Sequence, residues 1–230
     1  MQRTSFLVIL SLKAVTLLLL LNFITGCIPS TRYTSYIGGC PTSLASGDSL
    51  LLGEAAGVPA NQSYELYQML EPQLREAGLQ PAYAVEQDMD LRMHGIRPET
   101  ATDASSLAKM EQMGYAYYLR WAVGNQAAGL GYTSVSAGER QEVQQFGGKL
   151  ESGNTKASVT FELYSTQTRK LVYTLTATTE MAGLTVPNKD QENGHRGSSS
   201  VNVSTISMAV SRASLKDVKR LLENCSCCHK

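Results

Sequence analysis

The chain has 230 residues, with 20 basic side chains balanced by 20 acidic ones. That length suffices for one large domain with its own buried core. A neutral chain with no Lys/Arg-rich run lacks the electrostatic pull that nucleic-acid binders use, which excludes that class of partner.

The chain opens on an apolar run from Phe6, interrupted by Ser11, Lys13, Thr16 and Asn22 and ending in Ile24-Thr25-Gly26-Cys27. Such a run is about long enough to span a bilayer, which takes about 20 residues. Gly26-Cys27 and the polar, turn-rich stretch after them favour cleavage over a retained anchor. The four residues resemble a bacterial lipobox: a branched apolar residue, two small residues and a cysteine. The resemblance implies a lipoprotein signal peptide over 1–26 and acylation of the Cys27 sulfur, which would tie the rest of the chain to a lipid bilayer. An ordinary secretory signal and a retained membrane helix are the competing readings. Without residues 1–26 the chain keeps 204 residues and, because Arg3 and Lys13 leave, a net charge of −2.

Of the five cysteines, lipidation of Cys27 leaves Cys40, Cys225, Cys227 and Cys228. An even remainder in an exported chain suggests disulfides with three possible pairings; the expectation is a bridge from Cys40 to one of the other three. Free thiols on a frayed tail are the alternative. Residues 27–47, rich in Ser, Thr, Gly and Pro, read as a flexible tether. By resemblance to enterobacterial sorting, Ile28 in place of Asp after the lipidated cysteine points to the outer membrane, facing the periplasm, with the inner membrane or cell surface as alternatives.

The elements of the domain follow from 48 onward. Residues 49–54 read as a short buried strand, and 63–77 as a helix with Tyr64, Tyr67, Leu70 and Leu74 on one face, Ser63 as its cap and Gly78 as its stop. A weaker strand over 80–86 runs through Tyr83 and Val85. Residues 88–99 read as a solvated loop, and its Asp88, Asp90 and His94 are too few to predict a metal site. A second helix over 103–113 has Asp103 as N-cap, Leu107 and Met110 on its apolar face and Gly114 as stop. The central strand is 115–123, where Tyr115, Tyr117, Leu119, Trp121 and Val123 alternate.

The stretch 124–155 is a long Gly/Ser/Gln-rich connection whose glycines lack phosphate-loop spacing. Alternation over 157–164 (Val159, Phe161, Leu163) and 171–177 (Leu171, Tyr173, Leu175) predicts an antiparallel hairpin. A second polar loop spans 183–200. The last helix, 203–223, has an untidy stripe of Val203, Ile206, Val210, Ala213 and Leu221. The expected core is Leu51, Leu70, Leu74, Leu119, Trp121, Phe161, Leu163, Leu171, Tyr173 and Ile206. The order of elements predicts an α/β (α+β) fold: a mixed sheet of about five strands packed with three helices, one domain over 48–223, and a Cys-rich tail over 224–230.

In order and spacing, residues 48–223 resemble bacterial envelope lipoproteins: the CsgG-like curli assembly proteins, the LpoB-like activators of peptidoglycan synthases and the amino-terminal domain of TolB. Three features carry the resemblance. One is the helix from Leu107-Ala108-Lys109 to Met113-Gly114-Tyr115 that enters the aromatic strand Tyr117-Tyr118-Leu119. Another is the hairpin of Phe161-Glu162-Leu163-Tyr164 and Lys170-Leu171-Val172-Tyr173, and the third is the closing amphipathic helix. The turn Ser165-Thr166-Gln167-Thr168-Arg169 lacks the acidic residue and glycine often found there in such relatives. The resemblance implies a fold and assigns no functional residue.

No catalytic set is evident. There is no Gly-x-Ser-x-Gly elbow, and His94, His195 and His229 read as lying in loop or tail contexts. The expectation is a non-catalytic binding or assembly module without a cofactor or metal, working on another envelope protein through the loops 124–155 and 183–200. The alternative is a redox or soft-metal protein using Cys225-Ser-Cys227-Cys228-His229, since thiolates and imidazole suit Zn or Cu(I). Three Asn-x-Ser patterns, at Asn61, Asn202 and Asn224, are chance matches in a bacterial lipoprotein.

Overall fold

The structure is a computed structural model that describes residues 30–36, 44–129, 131–135, 153–189 and 196–225. The signal segment, Cys27, Cys40, Cys227, Cys228, His195 and His229 lie outside the described residues.

The first strand, β1 (Ser30–Tyr36), comes from the stretch expected to be a flexible tether. It lies antiparallel on β7 (Lys170–Met181), with Tyr33 opposite Ala177. Between them in the chain come β2 (Ser49–Leu52), α1 (Ala60–Glu76), β3 (Gln80–Tyr83), α2 (Asp88–Met93), a 3-10 turn (Pro98–Thr100), α3 (Ala104–Gln112), β4 (Tyr117–Ala127), β5 (Gly131–Val135) and β6 (Thr155–Ser165). After β7 follow β8 (Leu184–Lys189), β9 (Arg196–Asn202) and α4 (Ile206–Cys225). The main sheet has six strands in the order β1-β7-β6-β4-β2-β3, with β2 parallel to both β3 and β4 and the rest antiparallel. A second, three-stranded antiparallel sheet has the order β5-β9-β8.

The α/β class and the mixed sheet are as expected, but the sheet has six strands rather than about five and the helices number four among the described residues. The extra helix is α2, inside the stretch expected to be a loop. Its Asp88–Arg92 pair sits at i,i+4 spacing, 2.8 Å apart, and Leu91 supplies its one buried side chain. The two stretches expected to be loops, 124–155 and 183–200, contain the strands of the second sheet. Their Ser- and Gly-rich sequence hides the pairing because strand propensity weighs less than the partner available across the ladder.

Alternation sorts the strands onto two covered faces. Leu50 and Leu52, Leu119, Trp121 and Val123, Val159, Phe161 and Leu163, and Tyr173, Leu175 and Ala177 pack with α1 and α4 into the larger core. Leu51 and Tyr118, on the opposite face, pack with Leu91, Ile96, Ala101, Leu107 and Met110 from α2, α3 and the segment joining them. Tyr115 joins this second core instead of continuing the first. Two core assignments shift. Leu171 is 46 % exposed, because a bulge puts the extra residue Val172 between the pairs Leu163–Tyr173 and Tyr164–Leu171. Ile206 is only partly buried, at the first turn of α4.

The hairpin turn closes without glycine. Arg169 adopts the left-handed conformation at φ 56°, and the Thr166 hydroxyl bridges the carbonyls of Tyr115 and Ala116. Val85 lies beyond β3 and is exposed. Asp103 occupies the N-cap of α3 without a side-chain cap bond.

Helix α1 begins three residues earlier than its pattern suggests, with Pro59 at the cap, so Ser63 lies inside the helix and is fully buried. Its hydroxyl accepts from the Ala55 amide at 2.8 Å and meets the Tyr83 hydroxyl at 2.8 Å, tying the loop after β2 to the end of β3. Tyr64, placed on the apolar face by spacing, is 40 % exposed. Replacing Ser63 with Ala strands two buried polar groups, and a loss of about 1–3 kcal/mol is expected. A urea midpoint for Ser63→Ala equal to that of the parent would contradict the bridge.

Candidate functional site

Two places stand apart from the packed cores. The first is a crevice of about 250 Å³ at the carboxyl ends of the parallel strands β2 and β3. Topology creates it. The chain leaves β2 toward α1 on one face of the sheet and leaves β3 toward α2 on the other. Open sheets bind ligands where connections diverge in this way. The floor is Leu51, Leu91, Ile96, Met110 and Tyr118, and the mouth carries Glu54, Asp88, Arg92 and Arg97.

Its rim is held firmly. The Gly53 amide donates to Leu119 and the Gly53 carbonyl accepts from the Trp121 indole at 2.6 Å. The Ala56 amide donates to Trp121 and its carbonyl accepts from Val123. Gly53 itself is required by close approach, since a Cβ there would stand 2.6 Å from the Tyr118 hydroxyl oxygen. Burial pushes the Tyr118 phenol up to about 12, the Arg120 charge opposing it. The hydroxyl therefore keeps its proton at any physiological pH and acts as a donor.

The second place is the sheet β5-β9-β8, built by the two long insertions between β4 and β6 and between β7 and α4. A buried polar node joins the roots of both insertions. The Asn202 amide donates to the carbonyls of Gly153 and Met181, and its carbonyl oxygen accepts from the Ser204 amide at 2.9 Å. The Thr155 hydroxyl donates to the Ser204 carbonyl at 2.8 Å and accepts from the Gly129 amide at 3.1 Å. Asn202 is 4 % exposed and Thr155 is fully buried, so these bonds are made away from water, where leaving them unmade is costly. Both insertions are thereby fixed to the same corner of the main sheet.

Of the residues singled out by sequence, Cys225 is the one cysteine described. It is 1 % exposed and packs in the larger core at the end of α4, rather than on a frayed tail. Asp88, Asp90 and His94 belong to α2 and its cap, with Asp88 in the pair with Arg92 and the His94 ring against the Asp90 carbonyl. Among the described residues no three His, Cys, Asp or Glu side chains converge in a way that would hold a metal ion. The patterns Asn202-Val-Ser204 and Asn224-Cys-Ser226 conceal structural asparagines. Asn202 forms the node, and Asn224 donates to the Tyr173 hydroxyl at 2.9 Å. The crevice had no local signature, because its residues are drawn from Leu51 to Tyr118 and meet only through the crossover connections.

No protein-family model matches the chain, and no curated protein sequence matches it. Among solved structures, the chain is similar to the PelC dodecamer from Paraburkholderia phytofirmans, at 16 % identity and a TM-score of 0.42, covering 85 % of this chain and 98 % of that one. It is similar to the LpoB C-terminal domain from Salmonella enterica at 14 % identity and a TM-score of 0.36, over 60 % and 86 % of the two chains. It is also similar to lipoprotein GNA1162 from Neisseria meningitidis at 17 % identity and a TM-score of 0.37, over 75 % and 99 %. At these values the likeness says nothing about what this chain binds.

Proposed function

We propose that this chain is a lipoprotein of the bacterial cell envelope, anchored in the bilayer through Cys27 and serving as a non-catalytic binding or assembly module for another envelope protein. The observation that carries the reading is the convergence of two long insertions, polar in sequence, on one sheet with a buried root. A fold gains little stability from such an addition, whereas a contact surface gains a fixed shape. The anchor rests on the lipobox-like Ile24-Thr25-Gly26-Cys27, and the outer membrane, periplasmic side, on Ile28. Among the described residues no helix is long and apolar enough to cross a membrane. The alternative of a soft-metal tail loses one of its ligands, since Cys225 is packed in the core.

Two acyl chains hold a protein firmly on a membrane where one gives only marginal binding. Cys27→Ser is therefore expected to leave an unprocessed or soluble form and to abolish incorporation of radiolabelled palmitate; labelling equal to the parent would refute the anchor. For the contact surface, a photo-cross-linking residue at Ser199 of β9 is expected to trap one discrete envelope partner, and one at exposed Met89 of α2 is not. Asn202→Ala, which loosens the root, is expected to weaken the Ser199 product severalfold. Equal products from both positions, or none from either, would count against the insertions as the contact.

A further inference from the structure

The crevice between β2 and β3 has a chemistry of its own, independent of any partner on the inserted sheet. Four charged side chains line its mouth. Arg92 and Asp88 are committed to each other, 2.8 Å apart. That leaves one cation, Arg97, and one carboxylate, Glu54, both exposed and neither in an ion pair among the described residues. Below them the floor is apolar, with Leu51 and Met110 at most 1 % exposed and Ile96 at 2 %.

One polar atom interrupts that floor. Tyr118 is 6 % exposed, and its hydroxyl, directed at Gly53 on the crevice wall, has no hydrogen-bond partner among the described residues. That hydroxyl is not sealed from solvent, so it is free to donate to whatever occupies the crevice. The volume is below the range of about 300–1,000 Å³ typical of drug-sized ligands, so the occupant is small.

An anion would meet Glu54, and a cation would meet Arg97. A wholly apolar molecule would leave both unused and the Tyr118 hydroxyl still open. A small zwitterion with an apolar body matches every group: its carboxylate answers Arg97, its ammonium answers Glu54, its side chain covers the apolar floor, and an oxygen accepts from Tyr118. We propose that the crevice is a binding site for a free apolar amino acid or a dipeptide of such residues. The two sizes share this chemistry and differ in how far apart the charged ends stand.

The test uses the full chain purified from membranes in detergent, with labelled Ile, Leu and Met methyl groups read by NMR. L-leucine or leucyl-leucine is expected to shift the Ile96, Leu91 and Met110 methyls saturably below about 10 mM, and whichever binds more tightly fixes the ligand size. N-acetyl-leucine, which lacks the ammonium, and leucinamide, which lacks the carboxylate, are each expected to bind about tenfold more weakly. Arg97→Gln is expected to weaken the zwitterion about tenfold while leaving leucinamide unaffected. Tyr118→Phe removes only an unpartnered hydroxyl, so the fold should persist while affinity falls severalfold. Absence of any saturable shift to about 10 mM, or equal shifts from leucine, its acetyl form and its amide, would overturn the assignment.

Discussion

Trp121→Ala is expected to lower stability by about 3–5 kcal/mol, the usual range for deleting a large buried aromatic side chain. The side chain is 1 % exposed, sits on β4 beside the middle of the main sheet and meets the ring of Phe161 edge-on at 5.7 Å. Truncation opens a cavity that the paired strands on either side cannot collapse, and it strands the Gly53 carbonyl, which accepts from the indole at 2.6 Å. Trp121→Phe separates the two contributions. It keeps most of the ring contact and loses the donor, so a smaller cost of about 1–3 kcal/mol is expected. Because Gly53 forms the crevice wall, Trp121→Phe should also move the resonances of Tyr118 at its far side. Urea melts that show no loss for Trp121→Ala would overturn its place at the centre of the core.

The strands that hold Trp121 were legible because they alternate over most of their length. β4, β6 and β7 each bury every second residue under α1 and α4, and period-two patterning of Tyr, Trp, Phe, Val and Leu is the strongest strand signal a sequence carries. Legibility failed where burial is one-sided or polar. β1 reads Ser-Thr-Arg-Tyr-Thr-Ser-Tyr, which has the composition of a linker; its place in the sheet comes from the open edge of β7 and from side-chain bonds such as Lys216 to Thr31 at 2.7 Å. Leu171 looked inward by simple alternation, and the bulge at Val172, invisible in sequence, turned it out. The roots of the inserted sheet rest on Asn202 and Thr155, residues whose polar character suggests exposure until their partners are known. The crevice depends on crossover topology, which places Gly53 and Arg97 on one opening although they are far apart in the chain.

The last helix hides the group with the largest expected pH effect. Its buried face runs Ala209, Val210, Ala213, Ser214, Asp217, Val218, Leu221 and Cys225, so a carboxyl and a hydroxyl interrupt an otherwise apolar stripe one turn apart. That interruption is why the stripe looked untidy in sequence. Asp217 is fully buried, and neither its carboxylate oxygens nor the Ser214 hydroxyl makes a hydrogen bond. Burial pushes the Asp217 carboxyl up to about 8; the backbone at Ala177 of β7 pulls it slightly the other way without forming a bond of normal geometry. Tyr33 on β1 and Tyr173 on β7 face it across the packed layers; Arg220 of α4 acts on both phenols, and Glu223 on Tyr33. Both phenols are raised chiefly by their own burial, so they stay neutral and do not compensate the aspartate. In the unfolded chain the carboxyl ionises near its ordinary value of about 3.9, so between that pH and about 8 the folded state binds the extra proton. Stability from this group is full below about pH 4 and is lost as pH rises through 8, a fall on the order of 5 kcal/mol across the window. Glu180 works in the opposite sense: the Asn154 side chain holds its carboxyl below the usual range, so its contribution is lost on acidification. The two together place maximal stability on the mildly acidic side of neutrality. Urea midpoints of the parent are expected to decline steadily from about pH 5.5 to about pH 8.5, whereas Asp217→Asn, which cannot ionise, is expected to give a flat profile and Asp217→Leu a gain in stability at the alkaline end. A parent profile that stays flat, or one that Asp217→Asn reproduces with the same slope, would show that the buried carboxyl does not control the docking of this helix.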